Sequence, residues 1–497
     1  MDQLISDFFW FENVMVSKLW VRQNTKWIEI GLSSEPYIAF VNGDPEISFE
    51  GIKIHICVNS SESFVHCDSF GSVACFRYKK NGLSAITTDP FRLFQELGAM
   101  PDYDLDKMLD YFILSYHALD NRTIYSDLNF VTQGAKLNLN GYIEYSELKS
   151  IYSLNETSTT PNELAEELIE ITKKKLAGID PDRLVLLLTG GKDSIIGALL
   201  VKLALGNVDC ATFGFKNSVD LEWSTQRHKM LFPDSKHYTY SIEEFNISYD
   251  DDISYATSMG GFGPYTSIYY ESFLSNLNKA GKEFFIFSDH FEAIRKKIID
   301  SKYFIENYTT PKDVVKRYFS SLDVYNNHLA ELEKSISDKY KVDPFYKFYF
   351  YDRNSRGMFY KNVLARKHGK AKITPINNAD FLNKNYNFIK ESGQFPYDGI
   401  LNYLLKELGI EDRTWIFPEQ GSSKPIPIQP FNDLSRVRSH FLKLLEEKNS
   451  AFIDTLFKRS ELVRALTTME VGPNDPWLLL RIYQILIAKN YGENINM

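Results

Sequence analysis

The run Leu184-Val-Leu-Leu-Leu-Thr-Gly-Gly-Lys-Asp-Ser-Ile-Ile-Gly-Ala-Leu-Leu200 constrains this chain more than any other stretch. An unbroken apolar strand passes through Thr189-Gly-Gly-Lys-Asp-Ser194 straight into an apolar helix, a combination that reads as a buried strand–loop–helix unit. Gly190 and Gly191 carry no Cβ to hold an anion's oxygens away from backbone N–H groups. The helix that follows aims its N-terminal donors and positive dipole end at the same point. Thr189 and Ser194 add hydroxyl donors, Lys192 adds positive charge, and Asp193 can hold a cation. The segment therefore reads as a nucleotide-phosphate loop rather than a plain glycine turn between a core strand and a core helix. It is not the GxxxxGK[ST] loop, because no Lys-Ser/Thr pair follows a second glycine at that spacing.

The chain changes character near residue 150. Before it come short alternating runs rich in β-branched and aromatic residues: Lys53-Ile-His-Ile-Cys-Val58, Ser72-Val-Ala-Cys-Phe-Arg-Tyr78 and Leu83-Ser-Ala-Ile-Thr87, with a turn signal at Lys80-Asn-Gly82. The polar stretch Asn155-Glu-Thr-Ser-Thr-Thr-Pro-Asn162 is the best linker, dividing a domain over residues 1–154 from one over 160–497. After it, helical periodicity from Glu163 to Leu176 leads to the strand at 184, the loop, its helix and a second strand at Cys210-Ala-Thr-Phe-Gly-Phe215. Strands alternating with helices predict an α/β fold with a doubly wound parallel sheet, and from about residue 310 the pattern is mostly helical.

At 497 residues, more than one domain is expected. A formal charge of −9 argues against broad binding of nucleic acid or anionic membrane. Cys57, Cys67, Cys75 and Cys210 lack the close pairing of a zinc site and are too few for a disulfide framework, so they read as buried free thiols. No stretch of about 18 uncharged apolar residues occurs and the N-terminus lacks a basic leader, so a cytoplasmic protein is expected.

The loop resembles the SGGxDS loop of ATP pyrophosphatases, and further stretches extend the likeness to the asparagine synthetase family. In order these are Thr212-Phe-Gly-Phe215 with Glu222, His237, Phe284-Phe-Ile-Phe-Ser-Asp-His290, Asp352-Arg353 with Ser355, Thr374-Pro-Ile-Asn-Asn-Ala-Asp-Phe381, and Gly421-Ser-Ser-Lys-Pro-Ile-Pro-Ile428. The likeness is strongest in kind to members without glutaminase activity, such as β-lactam synthetases and lasso-peptide cyclases. It implies an N-terminal Ntn-hydrolase-like α+β sandwich followed by the ATP-using, doubly wound synthetase domain with a helical C-terminal part. Phe70-Gly-Ser-Val-Ala-Cys-Phe76, Asp89-Pro-Phe91 and Gly134-Ala-Lys-Leu-Asn138 fall where such sandwiches carry strands and turns.

Two departures matter. Glutamine-hydrolysing relatives carry a nucleophilic cysteine as the second encoded residue; here that residue is Asp2, and no cysteine precedes Cys57. Glutamine should therefore not supply ammonia. Where the family writes S-G-x-G-x-D-E, this chain writes Ser288-Asp-His-Phe-Glu-Ala293. Asp289 or Glu292 is then the second oxygen ligand for Mg2+, beside Asp193. His290 falls near the family position of an acid–base or orienting group, unless it is a histidine satisfied in the core.

The resemblance further implies ATP bound on residues 189–194, with Phe213, Gly214 and Phe215 also at the nucleotide, and Lys424 as the mobile-loop lysine that stabilises charge on the intermediate. The implied reaction joins a small-molecule or peptide carboxylate, activated as an acyl-adenylate, to an amine. The protein itself acts alone, as a homodimer or with a biosynthetic partner. Intramolecular cyclisation, intermolecular ligation, adenylation of a nucleobase or sulfur acceptor, and a catalytically silent nucleotide-binding scaffold stand as alternatives.

Overall fold

A computed structural model describes the backbone of the strands before residue 150 and residues 102–114, 122–131 and 159–493, apart from 260, 262, 266, 296–299, 341–342, 350–358, 370, 417–427 and 448–449. The strands of the first part pair antiparallel. They include Ile54–Val58 and Leu83–Thr87, two of the alternating runs of the sequence, and Phe76–Lys80, which overlaps the end of the third, residues 72–78. In the ladder of Phe76–Lys80 with Leu83–Thr87, Lys80 pairs with Leu83. The helix Leu105–Ile113, capped by Asp104, buries Met108, Tyr111, Phe112 and Ile113. Phe112 packs edge-on to Phe457 at 4.9 Å, and its carbonyl accepts from Arg481 at 2.9 Å, so this helix is bound into the C-terminal helices.

The helical run after the linker forms α1 (Pro161–Leu176). Thr160 and Glu163 cap it reciprocally: Glu163 N donates to the Thr160 hydroxyl at 3.3 Å and Thr160 N to the Glu163 carboxylate at 2.7 Å. Pro161 and Asn162, placed in the linker from sequence, are the first turn of this helix, because proline suits a position whose N–H has no intrahelical partner.

Five strands follow in a single parallel sheet: β1 (Leu184–Leu187), β2 (Cys210–Gly214), β3 (His237–Ser241), β4 (Phe284–Ile286) and β5 (Ala371–Ile373). Their spatial order is β3-β2-β1-β4-β5. The apolar run of β1 is explained by its two covered faces. Leu184, Leu186 and Leu188 enter one core with the buried face of α2 (Lys192–Leu205), while Val185 and Leu187 enter the other with Phe285, Phe287 and the helix Ser267–Lys279. Each such side chain contributes roughly 1.5–3 kcal/mol through burial. The chain winds outward from β1 to β3 on one side and returns to β4 and β5 on the other. A crevice consequently opens where the order reverses, beyond the carboxyl ends of β1 and β4. No helix among the described residues is long and apolar enough to cross a membrane.

Candidate nucleotide-phosphate site

Residues 189–194 leave β1 at that crevice, and residues 288–295 leave β4 beside them. The close approach of the two segments is visible at Gly197, where an added Cβ would overlap the Ser288 hydroxyl. A completely buried arginine, Arg227 on α3 (Val219–Leu231), shapes the loop from below. One guanidinium nitrogen donates to the carbonyls of Thr189 (2.5 Å) and Gly191 (2.8 Å), the other to Gly190 (3.0 Å) and to Ile416 (2.5 Å). Gathering three successive carbonyls on one cation turns them to one side of the loop and fixes its path. Burial lowers the arginine's pKa to about 10, so it remains charged at neutral pH.

Two loop hydroxyls and a carboxylate of α3 satisfy loop amides. Thr189 N donates to the Ser194 hydroxyl (2.8 Å), Gly191 N to the Thr189 hydroxyl (3.1 Å), and Gly190 N to the Asp220 carboxylate (2.9 Å). Thr189 and Ser194, expected as donors to phosphate, thus also serve as acceptors that brace the turn, while Asp220 sets an anion on the glycine N–H. At Gly190 a Cβ would lie 3.1 Å from Val219 O and 3.2 Å from Asp220 Oδ1, so the bare glycine permits the approach. Gly191 caps α2 and has no side chain with which to bond its first turn. Lys192 is joined to the helix Tyr397–Glu407 through its carbonyl, which accepts from Tyr397 at 2.8 Å.

The other expected nucleotide residues lie on β2 and its turn. Phe213 packs its ring into the aromatic core, 4.8 Å from Tyr270 and 4.7 Å from Phe273 between ring centres. A Cβ at Gly214 would come within 2.9 Å of Ser218 Oγ. Phe215 O accepts from Ser218 N at 2.9 Å in the turn that leads to α3. Beyond this turn lies a cleft of about 510 Å³ lined by Lys216, Ser218, Glu222, Tyr240 and Glu244 among others. His237, expected to open a strand, begins β3 and meets the Thr212 hydroxyl at 2.9 Å.

The three acids expected to hold Mg2+ are not assembled into a common oxygen set, and no metal-ligand cluster exists among the described residues. Asp193 receives both arms of Arg295, at 2.6 and 3.1 Å. Asp289 lies between Lys361 (2.6 Å) and Lys372 (2.7 Å), and these cations hold its carboxyl well below the usual carboxylate range against the cost of burial. The Tyr349 hydroxyl approaches Glu292 at 3.3 Å. A divalent cation wants carboxylate oxygens free of competing cations, so in this arrangement Asp193 and Asp289 do not fit it.

His290 is buried, takes a left-handed backbone (φ 71°), and donates from Nδ1 to Asn377 Oδ1 at 2.5 Å. Its Nε2 is buried without a hydrogen-bond partner, as is Ser288 Oγ. A left-handed non-glycine residue stores on the order of 1 kcal/mol of strain, a feature that concentrates at functional sites. Burial, helped by Lys372, lowers the imidazole to about 4, leaving it neutral with an open lone pair on Nε2. The unfolded chain therefore binds a proton near 6.5 that the folded chain binds only near 4. This contribution to stability is complete above the unfolded value and is lost as pH falls through that window, about 3 kcal/mol at most. His290→Asn, which tolerates the left-handed backbone, should show a shallower loss of thermal stability from pH 6.5 to 4 than the parent protein; parallel profiles would contradict the buried neutral state.

Lys424 and the Asp352, Arg353 and Ser355 group lie outside the described residues. Arg227, Arg295, Lys361, Lys372 and Asp220 were not anticipated from sequence. The closest available signals were the pairing of Arg295 with Glu292 at helical spacing and the acid two residues after Ser218 at a helix start.

No protein-family model matches the chain, and no curated protein matches it in sequence. Among solved structures it is similar to a U34-tRNA thiolase from Methanococcus maripaludis with its [4Fe-4S] cluster, at 13% identity over 62% of this chain and 81% of that one, with a TM-score of 0.25. It is similar also to a glutamine-dependent NAD+ synthetase from Acinetobacter baumannii in complex with ADP, at 11% identity over 69% of each chain, with a TM-score of 0.21.

Proposed function

We propose that this chain is an ATP-dependent amide-bond-forming ligase that activates a carboxylate as an acyl-adenylate and does not draw on glutamine. The observation that carries the proposal is the loop at the sheet's point of reversal, a glycine pair between a buried strand and helix with its carbonyls gathered by Arg227. That construction suits a polyphosphate at the start of α2, with the base and ribose toward the cleft beyond β2 and β3. A substrate carboxylate oxygen attacks the α-phosphorus and pyrophosphate leaves. An amine then attacks the acyl carbon, its proton passes to solvent, and AMP departs as the new C–N bond is completed, with His290 as the candidate orienting group beside the loop. Lys424 stabilises the oxyanion of that step. On this reading the N-terminal half serves as a structural or substrate-shaping domain.

The test is exchange of labelled pyrophosphate into ATP, catalysed by the full-length protein and surveyed over amino acids, short peptides and other small carboxylates. Exchange that depends on a carboxylate, with glutamate release from glutamine at background, is the expected result. ATP that binds yet never exchanges, with turnover absent under every acceptor, would favour the silent scaffold, a reading to which the Asp220 carboxylate on the Gly190 amide lends weight.

A further inference from the structure

Where a triphosphate and its metal would be expected, the loop acid already has a cation. Arg295 approaches Asp193 side-on with two nitrogens, Nε to Oδ1 at 2.6 Å and a terminal nitrogen to Oδ2 at 3.1 Å, a bidentate fork that satisfies both carboxylate oxygens. The Glu292 carboxylate adds to the field on the same guanidinium. Two of the three acids that the sequence offers to a metal are thus arranged around an arginine, and the third, Asp289, is held by two lysines. Arg295 lies on the segment that leaves β4 beside the loop and keeps about a third of its side-chain surface exposed, 33%. A guanidinium binds phosphate oxygens as readily as carboxylate.

We propose that Arg295 is a built-in phosphate subsite which takes the place of a protein-bound metal ion, so that polyphosphate binds to this loop without a divalent cation held by the protein. Asp193 is then the residue that positions the guanidinium. The inference rests on the nucleotide reading of the loop, and its test has an arm that does not.

The first arm measures ATP binding calorimetrically in EDTA and in magnesium, for the parent protein, Arg295→Gln and Arg295→Lys, with thermal unfolding as the folding control. The parent should bind in EDTA within about threefold of its affinity in magnesium, whereas Arg295→Gln should lose roughly tenfold or more in EDTA and recover part of it when magnesium enters the vacated pair of acids. Arg295→Lys, which keeps the charge without the fork, should fall between. A parent affinity that collapses in EDTA, or an Arg295→Gln protein that binds in EDTA as the parent does, overturns the proposal.

The second arm uses Mn2+ alone, followed by electron paramagnetic resonance on nucleotide-free protein. The parent should take up no more Mn2+ than Asp193→Asn, and Arg295→Gln should take up an additional ion. Uptake by the parent that Asp193→Asn abolishes would show Asp193 to be a metal ligand and would sink the proposal whatever ATP does. A protein that binds no ATP in either condition removes the ligase reading, while the Mn2+ result still decides the role of Arg295.

Discussion

Arg227→Met is expected to be among the most damaging single substitutions in the chain. The arginine is completely buried and supplies the hydrogen bonds to the carbonyls of Thr189, Gly190, Gly191 and Ile416. Methionine fills much of the volume but donates nothing, so carbonyls packed against it lose their partner away from water. Each such orphan costs about 1–3 kcal/mol, and relaxation of the loop recovers part, which sets the expected loss of stability at roughly 3–5 kcal/mol. Because the same bonds set the path of the phosphate loop, nucleotide binding should fall with stability. Denaturant unfolding together with ATP binding at a temperature where the variant is folded would measure both. A variant as stable as its parent and with unchanged affinity would mean that the loop keeps its shape without the buried cation.

Lys424→Met should instead leave stability and nucleotide affinity nearly unchanged while lowering turnover about a hundredfold or more. The reasoning is chemical: an ammonium brought to a developing oxyanion acts in the transition state, and removing such a donor costs on the order of 3 kcal/mol of barrier. The small and proline-rich surroundings Gly421-Ser-Ser-Lys-Pro-Ile-Pro-Ile428 suit a closing loop. The helix Ile428–Glu446 begins at the end of this stretch, and the Ile416 carbonyl bonded by Arg227 stands just before it. Parallel measurement of turnover, ATP binding and melting temperature separates the two substitutions, since one acts on the ground state and the other on the reaction. Full turnover in a folded Lys424→Met protein would make it a surface lysine.

What the sequence could convey followed the range of its interactions. The β1–loop–α2 unit was legible because a buried strand, two glycines and an apolar helix are adjacent in the chain. The helix α1 was legible too, because the periodicity from Glu163 to Leu176 is local to the element itself. The site's electrostatics were not legible. Arg227 lies 38 positions from Thr189, Arg295 lies 102 from Asp193, and Lys361 lies 72 from Asp289. Only the order of strands brings those partners together, and periodicity does not reveal it. The absence after β4 of the glycines that the resemblance led one to expect signalled that the second acid cluster is different, but not that two lysines and an arginine would hold the acids. His290 was singled out from the resemblance, whereas its left-handed backbone and orphaned Nε2 are set by the fold and carry no signal in the sequence.

The most direct test follows one oxygen atom. With the carboxylate that supports pyrophosphate exchange labelled with 18O, the full-length protein, ATP and an amine acceptor, the products are resolved by mass spectrometry. Formation of an acyl-adenylate moves one labelled oxygen onto the phosphate of AMP, with pyrophosphate unlabelled and no ADP formed. ADP and labelled inorganic phosphate as the protein-dependent products would place the attack at the γ-phosphorus and contradict the account.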